Sequence, residues 1–207
     1  MVPMSDEDTV SLRLRESREL VEEVMKDLTI SNSISELSDQ CIERITRGGK
    51  LVFFGNGGSA ADAQHLAAEF VGRYLVNRPA IPSIALTTDS SVLTAISNDF
   101  DFSTIFSRQV EALVGVEDVV FGISTSGNSE NVVKGLSAAK NKGALTVSFT
   151  GQSGGKASAI SDFCISIPSD STPLIQQMHI TIGHILCEII ETSLVARESH
   201  ENSNHSL

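Results

Sequence analysis

The strongest constraint on the fold is an alternation that begins at Lys50. Five apolar runs of strand length, LVFF (51–54), SIAL (83–86), VVFGI (119–123), LTVSF (145–149) and FCISI (163–167), are spaced by segments of helical pattern at 60–71, 91–97 with 103–113, and 131–142. Runs that are apolar throughout, rather than at every second residue, are strands covered on both faces, and the intervening helices supply the covers. The pattern predicts an α/β domain on a doubly wound, five-stranded parallel sheet. A last helix over 174–195 closes it.

Two helices precede the first strand. One covers 12–28, with Leu14, Leu20, Val21 and Val24 at helical spacing; the other covers 33–46, with Leu37, Cys41 and Ile45 on one stripe. Ser33 and Glu36 have the spacing of a capping box, and RGG at 47–49 ends the second helix. These apolar stripes need a cover, and a partner subunit is the expected one. The organisation read from the sequence is an unstructured 1–10, a single domain over 11–195 (helices 11–48, α/β core 50–195) and an unstructured polar tail, 196–207.

Charge and cysteine usage remove several function classes. Fifteen Lys and Arg against 26 Asp and Glu leave a formal charge of −11, and with no Trp and few aromatics the chain is a poor match for nucleic acid. The longest apolar stretch, 180–190, is broken by His184 and Glu188, short of the roughly 20 residues of a membrane span. The N-terminal residues lack the basic and apolar regions of a signal peptide, so a cytoplasmic protein with no membrane partner is expected. Cys41, Cys164 and Cys187 are isolated and odd in number, which reads as reduced structural thiols.

Two strand-to-helix loops carry unusual chemistry. In open α/β sheets, ligands sit beyond the carboxyl ends of the strands. The first loop, Gly55-Asn56-Gly57-Gly58-Ser59, lets backbone approach a ligand closely at a helix start, where free amides attract an anion. The second, Ser124-Thr125-Ser126-Gly127-Asn128-Ser129, holds four hydroxyls and no basic residue in six positions. One hydroxyl suffices for an N-cap; the surplus points to a cradle of neutral donors for phosphate oxygens. Neither loop ends as a P-loop does. Gly55, Gly57 and Ala60 formally fit a dinucleotide fingerprint, with Asp89 as its acid, but Asp89 lies beyond the usual separation of about 20 residues.

His65 and Glu69 are four apart, hence on one face of the helix that leaves the glycine loop. Gln176 and His184 are eight apart on the last helix, roughly 80° around its axis. Together they make an N/O donor set suited to zinc, and a carboxylate with an imidazole is also an acid–base pair for isomerisation. His179 reads as a core histidine.

These motifs together, GNGGS with DAQHLAAEF (62–70), NDFDF (98–102), GISTSGNS (122–129), TGQSGG (150–155) and IQQMHITIGH (175–184), resemble the sugar isomerase (SIS) family, and within it the phosphoheptose isomerases. The resemblance runs in consistent order from about residue 51 to 191. It implies a flavodoxin-like sheet and a homotetramer with active sites at subunit interfaces. It implies aldose–ketose isomerisation of sedoheptulose 7-phosphate toward nucleotide-activated heptose. On the resemblance, Asn56, Gly57, Gly58 and Ser59 line the sugar phosphate, Ser124, Thr125, Ser126 and Ser129 hold the phosphate, and Asn98 and Asp99 contact sugar hydroxyls. His65, Glu69, Gln176 and His184 match Zn2+ positions, with Gln176 and Glu69 also on the substrate, and Glu69 and His184 match the proton-transfer pair. One departure is Pro173-Leu174, where the family often has Asp-Arg; Asp170 is the candidate replacement. Two rivals remain at this stage: a non-enzymatic SIS tetramer that binds a replication initiator, and an isomerase of another phosphosugar.

Overall fold

The computed structural model describes residues 6–204, with side chains as far as Arg197. The five strands are β1 (Leu51–Gly55), β2 (Ser83–Ala85), β3 (Val119–Ile123), β4 (Leu145–Thr150) and β5 (Phe163–Ser166). All pair in parallel, in the order β2-β1-β3-β4-β5. This is the flavodoxin-like order, with the topological switch between β1 and β3. The glycine loop follows β1 and the serine loop follows β3, so the two flank that switch point.

Strand alternation splits the core into two layers. Leu51, Phe53, Val119, Phe121, Val147 and Phe149 face α2 (Leu28–Thr46), α3 (Gly58–Val71) and α8 (Thr172–Asn204). Val52, Phe54 and Val120 face the other way, toward α5 (Ile105–Leu113) and α6 (Glu130–Asn141). α4 (Ser90–Asp99) and a 3-10 turn (Phe102–Thr104) precede α5, and α7 (Gly155–Ile160) joins β4 to β5. β1, β3 and β4 are buried along their whole length; β1 and β3 are accordingly apolar without alternation, while β4 alternates Leu145, Val147 and Phe149 with the buried hydroxyls of Thr146, Ser148 and Thr150.

The helical ends differ from the sequence expectation. α1 runs Asp6–Lys26, so helix occupies 6–10, and α8 continues through 196–204 of the segment expected to be an unstructured tail. Residues 1–5 and 205–207 lie outside the described part. α2 starts at Leu28, because Asp27 is the N-cap and its carboxylate accepts the Thr29 and Ile30 N–H groups. Ser33 and Glu36 are therefore interior positions and form no capping box. At the other end Arg47 is the C-cap and Gly48 follows at φ +88°, as the RGG reading required. Among the described residues α8 alone meets the length and composition of a membrane span, with a mean hydropathy of 1.3. Ile175, Met178, Ile182, Leu186 and Ile190 recur every three or four residues along α8 and belong to the core layer shared with α2 and α3.

Candidate active site

The candidate phosphate cradle assembles from backbone and short side chains. Gly127 takes φ +64°, and a Cβ there would sit 2.1 Å from the Gly154 carbonyl oxygen, so only glycine lets the loop after β4 close over the loop after β3. Lys156 N–H donates to Asn128 Oδ1 (3.1 Å) and Ala157 N–H to Gly127 O (2.9 Å), which locks the two loops together. Ser129 is the N-cap of α6 but makes no capping bond; its hydroxyl lies 3.0 Å from Ser124 Oγ. Gly57, the N-cap of α3, has no side chain to cap with. Both helix starts thus face the switch point without a capping side chain of their N-cap residue, leaving dipole and amides toward an anion. Asn56 and Asn131 exchange two amide hydrogen bonds (2.9 and 2.8 Å) and hold the two loops in register. Thr125, Ser126, Asn128, Gln152, Ser153 and Asp170 line a cavity of about 280 Å³.

The second half of the site lies on the seam between α3 and α8. Gly183 lets Leu66 pack against α8, since a Cβ there would come within 2.6 Å of the leucine side chain. That contact brings the neighbouring residues, His65 and His184, together with their rings edge to face. His65 Nε2 is 3.0 Å from Glu69 Oε1 and 3.3 Å from His184 Nε2, and one donor atom from each of the three residues lies within 4.8 Å of the others. A ring nitrogen carries either a proton or a lone pair, so His65 Nε2 cannot serve both neighbours as a neutral donor. Donor atoms around a tetrahedral Zn2+ are roughly 3.4 Å apart, from bonds of about 2.0–2.1 Å. The spacing and the N/O donor chemistry fit a borderline divalent ion shared by the three.

The sequence-predicted residues fall into three groups. His65, Glu69 and His184 converge. Asn56, Gly57, Gly58, Ser59, Ser124, Thr125, Ser126 and Ser129 occupy the two flanking loops. Gln176 bridges the halves: a Cβ on Gly58 would meet its Nε2 at 2.6 Å, so this amide rests on the glycine loop, about 12 Å along α8 from His184. Asn98 and Asp99 end α4, exposed and bonded to one another (2.8 Å), just before Phe102, which lines a cavity with Asn56 and Gly57. Asp89 caps α4 through Val92 N–H, a structural role that leaves the dinucleotide alternative without its acid. His179 is buried, donating to Thr150 O at 3.0 Å. The three cysteines are free, and burial raises the Cys41 thiol and pushes Cys187 up to about 12, so neither is a nucleophile near neutrality.

Three residues escaped the sequence reading. Asp62 sits one turn before His65; one of its carboxylate oxygens is buried without a partner, and burial raises its pKa against the pull of His65 and His184. The spacing to His65 is the signal that could have found it. Asn131 gave only its position two residues past the serine loop. Tyr74, whose ring stacks on His184 with centroids 5.4 Å apart, gave none.

A flavodoxin-order sheet with hydroxyl- and glycine-rich loops at its switch point defines a sugar-phosphate domain, and the sequence matches the SIS domain family over residues 14–151. The chain is 59% identical over 147 residues to the phosphoheptose isomerase of Desulfovibrio desulfuricans, covering 71% of this chain and 70% of that one. Solved phosphoheptose isomerase structures superpose on it: that from Neisseria gonorrhoeae at TM-score 0.85 and 38% identity, and that from Francisella tularensis at 0.88 and 32%, each over 91% of this chain and all of theirs. The chain belongs to the phosphoheptose isomerase family of SIS-domain isomerases.

Proposed function

We propose that the protein isomerises sedoheptulose 7-phosphate to D-glycero-D-manno-heptose 7-phosphate, a step toward nucleotide-activated heptose for surface glycans. The observation that carries this is the convergence of Glu69 and His184, with His65, on the seam between α3 and α8, in a chain whose α3 and α6 begin without a capping side chain on the N-cap residue. Ser124, Thr125, Ser126 and Ser129 hold the phosphate, and Asn56, Gly57, Gly58, Ser59 and Gln176 line the chain that leads from it. Asn98 and Asp99 meet sugar hydroxyls. Fixing the ester end turns the approach of C1 and C2 to the carboxylate into an intramolecular event. Glu69 takes the proton from C2 of the aldose, or C1 of the ketose, and returns it to the neighbouring carbon through an enediol. His184 donates to and accepts from the two oxygens. His65, Glu69 and His184 would hold one Zn2+, which supplies polarisation of the substrate carbonyl, while Gln176, resting on the glycine loop about 12 Å along α8, serves the substrate.

The assembly we infer is a homotetramer. Val10, Leu14, Val21 and Met25 of α1, with Leu28 at the start of α2, are exposed apolar side chains at 42% to 73%, while only Leu20 and Val24 of α1 are buried. So many exposed apolar side chains on one chain are a surface for further copies. The free thiols fit a cytoplasmic setting. A purely scaffolding relative has no use for a convergent His/Glu/His set, which favours the enzyme.

An aldose–ketose assay over a panel of ketose phosphates, with and without a chelator, tests the reading. Turnover of sedoheptulose 7-phosphate that chelation removes and Zn2+ restores is the expected result. Absence of isomerisation across the panel would refute it.

A further inference from the structure

We propose that Tyr74 is a positioning residue for His184, delivered to it by the buried Arg78–Glu191 pair. The inference rests on the reading of His184 as the acid–base group. Glu191 lies on α8, seven residues and roughly two turns beyond His184, with its side chain only 1% exposed. Its carboxylate accepts the N–H groups of Tyr74 (2.8 Å), Leu75 (2.7 Å) and Val76 (3.0 Å) and the Arg78 Nε (2.9 Å). Arg78, 3% exposed, gives three of its four remaining N–H donors to the carbonyls of Glu69, Phe70 and Pro79. A buried pair of charges is tolerable only when satisfied this fully. Burial alone would raise the Glu191 pKa, yet the three N–H groups and Arg78 hold it below the ordinary range.

The pair therefore ties three things together: the end of α3 at Glu69, the segment that leaves it, and α8. Three successive N–H groups bound to one carboxylate leave that segment a single path, and the path lays Tyr74 over His184. The rings are 5.4 Å apart and inclined by 23°. The His184 ring also meets His65 edge-on, at 4.9 Å and 70°. The last side-chain torsion of histidine is intrinsically broad, so nothing within the residue fixes where its ring nitrogens point. Between Tyr74 and His65, the orientation that remains directs Nε2 at His65 and Glu69. In this account the aromatic face of Tyr74 acts and its hydroxyl does not.

Three readouts on Tyr74→Leu and Tyr74→Phe decide this: steady-state kinetics, Zn2+ affinity by competition with a chromophoric chelator, and the His184 ring signal in histidine-labelled protein, assigned with His184→Gln. Tyr74→Leu should lower kcat and Zn2+ affinity each roughly tenfold, as loss of a ligand-orienting neighbour does. KM should stay within about twofold, because substrate contacts are untouched. The His184 signal should shift while that of buried His179 stays in place. Tyr74→Phe should restore all three. An unmoved His184 signal with unchanged kcat in Tyr74→Leu overturns the proposal, and so does a Tyr74→Phe defect as deep as that of Tyr74→Leu. Should His184→Gln keep full activity, the acid–base reading fails, and the ring signal still decides whether Tyr74 orients His184.

Discussion

The two halves of the site are built from different material. The cradle is made of short loops, each contiguous in sequence, whose backbone amides and small hydroxyls are held together by glycine close approaches and the Asn56–Asn131 pair. The seam is made of side chains, and its two histidines stand 119 residues apart. Many weak donors share the load in the first, so the loss of one leaves the others. In the second, the proposed chemistry rests on three residues, so each should be close to indispensable. The contrast predicts that cradle variants weaken binding and seam variants stop turnover.

The sharpest break of that contrast is Glu69→Gln. The amide keeps the size of the side chain and its hydrogen bond toward His65 but cannot accept a proton. Turnover should fall by roughly 10²–10⁴-fold, the usual worth of a positioned acid–base group. KM and the unfolding midpoint should change little. Activity within tenfold of the parent would show that another group moves the proton, with Asp62, which feels both His65 and His184, the candidate.

The same contrast explains what was legible in the sequence. Strands and loops could be read because their cause is local: a strand buried on both faces carries apolar or small hydroxyl side chains and no charge, and a cradle needs its hydroxyls and glycines side by side. The motifs also gave His65 and Glu69 a common face. What the chain could not announce is anything made by packing between distant segments. Ser33 and Glu36 had the right spacing for a cap, but Asp27 lay upstream and took the first-turn amides. The polar composition of 196–204 read as a tail, although the strong helix of 172–195 simply continues into it. Arg78 and Glu191 are 113 apart, and nothing in either neighbourhood points to the other. Tyr74 depends on both, so no local pattern could reveal it.

His179 joins the two halves and gives the next effect in size. Its Nε2–H donates to Thr150 O, at the start of the loop that carries Gly154 onto Gly127, while Nδ1 is buried without a partner. Protonating Nδ1 would bury a charge, so burial, only partly offset by the Thr150 carbonyl, lowers its pKa from 6.5 to about 4. In the unfolded chain the ring takes up its proton near 6.5, so between these values the unfolded state binds more protons and stability falls with falling pH. The contribution is whole above pH 6.5 and is lost by about pH 4, amounting to about 3 kcal/mol at most. Urea unfolding at fixed protein concentration should show His179→Leu less stable at pH 7 but with a flatter decline across this window. Parallel curves for the two proteins would mean the ring does not titrate differently on folding.

The smallest effects belong to the cradle, and they test its redundancy directly. Ser126 Oγ accepts the Asn128 N–H at 3.1 Å, and Ser129 Oγ pairs with Ser124 at 3.0 Å. Removing either hydroxyl takes one donor from the phosphate and leaves the amides, Thr125 and the other serines. Ser126→Ala and Ser129→Ala should each raise KM by about five- to tenfold, the worth of an ordinary hydrogen bond at about 1–1.4 kcal/mol, since the neighbouring donors share the charge. Since the phosphate is held alike in ground and transition states, kcat should stay within about twofold. Inorganic phosphate, as a competitive inhibitor, should weaken by the same factor in each variant, because it meets only the cradle. If kcat fell instead while inhibition by phosphate stayed constant, the serines would be acting on the reacting carbons. The division between a binding half and a reacting half would then be wrong.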